Sequence, residues 1–91
     1  MRNFETALKQ FTDYMDSKVD ISRNMPKKFI AKMGKKYAKI IVVDNQRSAY
    51  AFVDMDGKIW KSASWSAPAK NFPRANIFEP ESYKDFEIYG I

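Results

Sequence analysis

Two stretches of this 91-residue chain hold side chains that can grip an anion. The first contains Arg23, Lys27, Lys28, Lys32, Lys35, Lys36 and Lys39, with no acidic residue between Asp20 and Asp44. The second reads Lys58-Ile59-Trp60-Lys61-Ser62-Ala63-Ser64-Trp65-Ser66-Ala67-Pro68-Ala69-Lys70 and continues to Arg74 and Asn76. Cations spaced along a surface can track a phosphate backbone, because each neutralised phosphate releases a counterion. Rings interleaved with cations suit single strands: bases stack on exposed aromatic faces while lysine and arginine hold the backbone. The candidate nucleic-acid-binding residues are therefore Lys27, Lys28, Lys32, Lys35, Lys36 and Lys39 from the first stretch, and Lys61, Trp65, Lys70 and Arg74 from the second. Each stretch also has a plain structural role open to it. The lysines can form a solvated helix face plus an edge lysine, and Trp60 and Trp65 can anchor a core or a loop.

Other chemistries lack their residues. The chain has no cysteine and no histidine, so thiol nucleophiles, disulfides, thiolate metal sites, the commonest zinc ligand and the usual neutral-pH base are all missing. Asp54 and Asp56 stand two apart, as metal-binding carboxylates can, but no third suitable ligand follows nearby and Asp56 precedes a turn glycine. With only three glycines, neither a dinucleotide-binding nor a P-loop pattern can be written. Ser62, Ser64 and Ser66 have no histidine partner; spacing leaves a serine–lysine arrangement with Lys61 or Lys70 open, but serines at sheet ends are common for structural reasons. A protein that is not an enzyme and needs no cofactor or metal is the expectation.

The net charge of +5 is unevenly spread: residues 21–43 carry seven basic and no acidic side chains, whereas residues 79–91 carry four acidic and one basic. Such a field favours anionic partners. No apolar run approaches the roughly 20 residues that span a bilayer, and Met1-Arg2-Asn3-Phe4-Glu5 lacks a secretory apolar stretch, which points to the cytoplasm and to no membrane partner.

The elements that must position these residues follow from periodicity. Phe4, Leu8, Phe11 and Met15 share one helical stripe, widened by Ala7 and Tyr14, and Asn3 is a fair N-cap, so a helix is expected over about residues 4–18. Pro26 can open and Gly34 close a second, short helix with Phe29, Ile30 and Met33 inward and the lysines outward. A strand from Tyr37, a turn at Asp44–Arg47 and a second strand over Ser48–Asp54 come next, the latter with Tyr50 and Phe52 on one side. Asp56-Gly57 predicts a type I′ hairpin leading to a third strand, Lys58–Ser62. Residues 63–82 hold Pro68, Pro73 and Pro80 and read as an ordered loop pinned by Trp65, Phe72 and Phe78, before a short edge strand around Phe86 and Ile88. The whole is one α+β domain over residues 1–91, with one or two N-terminal helices packed on a three- or four-stranded antiparallel β-meander. Forty-five per cent hydrophobic residues and fourteen aromatic rings suffice for its core.

The run Lys61-Ser62-Ala63-Ser64-Trp65-Ser66-Ala67-Pro68-Ala69-Lys70, followed by Arg74, Asn76, Ile77 and Phe78, resembles a family of small proteins of tailed bacteriophages, marine and T7-like phages among them. The preceding hairpin, from Tyr37-Ala38-Lys39-Ile40-Ile41-Val42 to Asp56-Gly57-Lys58, is similar too, so the likeness spans residues 36–78. The chain departs from that pattern at Ala75, where a glycine is usual, and in the Phe72-Pro73 spacing before Arg74. The resemblance implies a viral origin and the cytoplasm of an infected bacterial host, and it carries no activity with it. Two functions then stand first: a non-catalytic phage accessory protein that binds nucleic acid, DNA or RNA, or a module that binds a host protein and inhibits or redirects a host enzyme or defence complex. A virion component is a third. Oligomeric state is not legible at this level.

Overall fold

The computed structural model describes residues 3–22, 28–43, 46–70 and 72–86. Helix α1 spans Phe4–Ser22. Asn3 caps it as expected, its Oδ1 accepting from the Thr6 amide at 3.0 Å. Ala7, Leu8, Phe11 and Met15 are buried along one stripe. The helix runs four residues past the expected end, since Val19-Asp20-Ile21-Ser22 contains neither glycine nor proline to stop it.

The second helix does not form. Residues Lys28–Met33 are instead strand β1, paired antiparallel with β2, Tyr37–Val43, from Lys28↔Val43 to Met33↔Ala38. A helix this short is marginal in water, and pairing along six residues outweighs its local preference. Phe29 is fixed in the core, edge-on to Tyr50 at 5.0 Å, while Met33 lies exposed. The Phe29 amide, on the outer edge of β1, donates to Asp16 Oδ1 of α1 at 2.8 Å, which ties the helix to the sheet edge. Gly34 does not cap a helix but turns the β1–β2 hairpin: its amide donates to the Tyr37 carbonyl at 2.9 Å, and an added Cβ would stand only 2.9 Å from that oxygen. Pro26 and Lys27 lie outside the described residues, as do Asp44 and Asn45 of the expected turn.

Strand β3, Arg47–Asp54, and β4, Lys58–Ser64, continue the antiparallel order β1-β2-β3-β4. Two short strands from the expected loop, β5 at Ala67–Pro68 and β6 at Ala75–Asn76, both pair with β4, which makes the sheet larger than a four-stranded meander. A single 3-10 turn, Pro80–Tyr83, follows. The expected strand around Ile88 lies outside the described residues; Phe86 itself packs edge-on against Phe11 at 6.1 Å.

A β-bulge changes which faces the β3 side chains reach. Ile40 opposes Ala51 but Ile41 opposes Ala49, so β3 supplies one extra residue, Tyr50. Tyr50 therefore enters the helix-side core with Ala51 and Val53, whereas Phe52 is buried outside that cluster; the two rings do not share a side as the alternation predicted. The β3–β4 loop also differs from a type I′ turn. The Gly57 amide donates to the Asp54 carbonyl at 2.9 Å, leaving Met55-Asp56 as the central pair and Gly57 at φ 89° behind them, a three-residue loop closed by a positive-φ glycine.

The core lies between α1 and the sheet, closed from one end by Ile77 and Tyr83. Tyr83 is held edge-on to Phe11 at 4.8 Å and beside Tyr14 at 5.5 Å. Burial first, and the neighbouring Tyr14 phenol second, push its pKa above the ordinary tyrosine value of 10.0. The unfolded chain thus gives up this proton at a lower pH than the folded one, so the stabilisation is complete below pH 10.0 and is lost as pH rises through the folded value. Tyr83→Phe should flatten the alkaline part of a stability-versus-pH curve followed by urea unfolding. Among the described residues no helix is long and apolar enough to cross a membrane.

Candidate nucleic-acid interface

The face of the sheet turned away from α1 carries a row that crosses four strands. Lys32 of β1 opposes Lys39 of β2, Lys39 opposes Phe52 of β3, and Phe52 opposes Trp60 of β4. Directly opposed residues share a face, so this row places two cations beside two rings. One register step away Tyr37 opposes Asp54, and the Tyr37 ring meets Phe52 edge-on at 6.0 Å.

The β4–β5 turn and the residues after β5 fold onto this row. Lys39 Nζ lies 4.1 Å from the Trp65 ring centroid and 5.8 Å from that of Phe52. Lys70 Nζ lies 4.3 Å from the Trp60 ring and 5.3 Å from that of Tyr37, and it donates to Tyr37 Oη at 3.1 Å. Exposed cation–π contacts are worth about 0.5–1 kcal/mol each, enough to order the lysine tails. A ring face consumes no N–H donor, so these ammonium groups stay competent to bind an oxyanion through charge-assisted bonds of about 1.5–3 kcal/mol. Trp65 remains 48% exposed, which leaves ring surface for a stacking partner.

Asp54 sets the position of Trp60. One carboxylate oxygen accepts from Trp60 Nε1 at 3.0 Å, while the other accepts from the amides of Asp56 and Lys58, each at 3.0 Å. The carboxylate is therefore a turn and tryptophan anchor, in keeping with the turn role read from the sequence. Asp54→Ala should cost about 1–3 kcal/mol by leaving these donors without their acceptor. It should also shift the tryptophan emission as Trp60 loosens; thermal unfolding and fluorescence spectra measure both.

At the tip of the β1–β2 hairpin the basic row opens into a pocket of about 260 Å³. Lys32, Lys35, Lys36 and Lys39 line it together with Tyr37 and Phe52, and Ser66 reaches in from the β4–β5 turn. Among the described residues no carboxylate lies within ion-pairing distance of these four lysines; Glu81, from the acidic C-terminal stretch, sits by Lys84 at 3.6 Å.

The sequence-derived candidates thus divide. Lys32, Lys35, Lys36 and Lys39 converge on the pocket, and Trp65 and Lys70 join the adjoining ring cluster. Lys28 is exposed at the far end of β1, about 13 Å from Lys32 at the rise of a strand. Lys61 does not join them: it opposes Ala51, a core-side residue, and so projects from the other face of β4. Arg74 is half-buried, 4.3 Å from the Phe72 ring, in a separate pairing with its Nε unbonded. Phe72 and Trp65, expected to pin the loop, are both exposed; Phe78 does pin it, edge-on to Phe4 at 6.4 Å. Lys27 lies outside the described residues. Tyr37, Phe52 and Ser66 were not among the candidates. The register Lys39↔Phe52 and Tyr37↔Asp54 is what brings both rings beside the lysines, and it depends on a bulge that the sequence does not announce.

A family model matches residues 2–87, nearly the whole chain. The chain belongs to DUF7717, a family of unknown function. Comparison with curated proteins and with solved structures found no match.

Proposed function

We propose that this chain is a small non-catalytic phage accessory protein that binds nucleic acid, DNA or RNA, on the face of its sheet turned away from α1, in the cytoplasm of an infected bacterial host. The observation that carries the reading is the cross-strand row Lys32–Lys39–Phe52–Trp60, with Trp65 and Lys70 laid over it and the lysine-lined pocket formed on its Lys32, Lys39 and Phe52 members. A positively charged track that passes beside stackable rings fits single strands better than duplexes, because paired bases cannot reach the rings. Such contacts give affinity without sequence specificity. The phage setting is supported by the resemblance carried by Lys61–Lys70 and the following Arg74, Asn76 and Ile77.

Fluorescence anisotropy with single-stranded DNA, single-stranded RNA and duplex DNA at two salt concentrations tests the proposal. The expected result is tighter binding of single strands than of the duplex, weakening steeply with salt. Absence of binding at low salt removes it. The competing function, docking on an acidic host protein, predicts one stoichiometric protein partner in a host-lysate pull-down that survives nuclease treatment.

A further inference from the structure

We infer that the pocket at the tip of the β1–β2 hairpin takes a terminal phosphate monoester, the phosphorylated end of a nucleic-acid strand. This rests on the nucleic-acid reading above and adds the position of the strand's end. Charge is the first support. An internal phosphodiester carries one negative charge, whereas a monoester carries about −1.5 to −2 near neutral pH. Lys32, Lys35, Lys36 and Lys39 all line one pocket of about 260 Å³, a concentration of cations better matched by the monoester.

Size is the second support. At about 260 Å³, just below the roughly 300–1,000 Å³ of sites for drug-sized ligands, the pocket matches one phosphate with its sugar. Its walls are the third. Tyr37 and Phe52 supply an apolar side that strengthens the lysine–phosphate attraction, and Ser66, which carries a hydroxyl, also lines the pocket. Lys32, Lys39 and Phe52 of the row themselves line the pocket, so a strand stacked at Trp60 and running toward β1 enters it directly, with Lys35 and Lys36 at the hairpin tip.

One single-stranded oligonucleotide, prepared with a 5′-phosphate, with a 3′-phosphate and with neither, provides the test by anisotropy at fixed salt. One phosphorylated form should bind roughly tenfold tighter than the unphosphorylated strand, the increment of an added charge-assisted contact; which form it is identifies the end. That preference should fall to about twofold or less in Lys35→Ala/Lys36→Ala, with the fold of the variant checked by circular dichroism, and should shrink below about pH 6 as the monoester takes up its second proton. Equal binding of all three strands overturns the inference and leaves the nucleic-acid reading standing. A preference that the double variant keeps overturns it as well, since the phosphate then sits elsewhere. No binding of any strand overturns both.

Discussion

Replacing Lys32, Lys35, Lys36 and Lys39 together by alanine should lower the affinity for single-stranded DNA roughly 100-fold at low salt, from about 3 kcal/mol spread over four exposed ion pairs. The same variant should flatten the slope of log affinity against log salt by up to about 3, at roughly 0.7 for each phosphate of a single strand that is no longer neutralised. These four side chains line one pocket with no carboxylate of the described residues in ion-pairing reach, so their charge is available to a ligand. Lys9 and Lys61 serve as single-charge controls away from the pocket. Lys9 is paired with Asp13 at 2.9 Å on α1, and Lys61 projects from the opposite sheet face, so Lys9→Ala and Lys61→Ala should each leave the affinity within about twofold. Titrations of all three variants over a salt series measure the contrast.

Phe11→Ala should have the largest effect on stability. The ring is fully buried and meets Tyr83 edge-on at 4.8 Å and Phe86 at 6.1 Å, so it joins α1 to the C-terminal part of the described chain. Truncating a core phenylalanine costs about 3–5 kcal/mol through lost transfer energy and the cavity left behind. A domain of this size has only about 5–14 kcal/mol in total, so the variant should be close to the edge of folding. Its Tm should fall by roughly 15 °C or more, as read by calorimetry. Phe72→Ala, by contrast, removes a 55% exposed ring that lies over Arg74 and should change Tm by only a few degrees.

Those two outcomes also mark how far the sequence can be read. The helix is legible because Phe4, Leu8, Phe11 and Met15 repeat at helical spacing behind an Asn cap, and the packed stripe is that stripe. The strands at 37–43 and 47–54 are legible from β-branched runs and alternation. Residues 28–33 mislead because Pro26 and Gly34 bracket them like a helix, while what decides their conformation is a partner strand further along the chain. The split of Tyr50 and Phe52 is hidden for a related reason: a bulge inserts one residue and hands alternate rings to opposite faces. The lysines of the site, Lys32, Lys35, Lys36, Lys39 and Lys70, can all be named from the sequence, since charge segregation survives a wrong assignment of secondary structure. Their convergence at a hairpin tip, and the aromatic wall beside them, cannot.

The most direct test of the central claim is a two-dimensional amide NMR titration of the labelled protein with a short single-stranded oligonucleotide. The predicted result is a set of shifts confined to Lys32–Lys39, Phe52, Ser66 and Lys70, together with the indole signals of Trp60 and Trp65. Shifts concentrated on α1, around Ala7 to Met15, or no shifts at all, would contradict it.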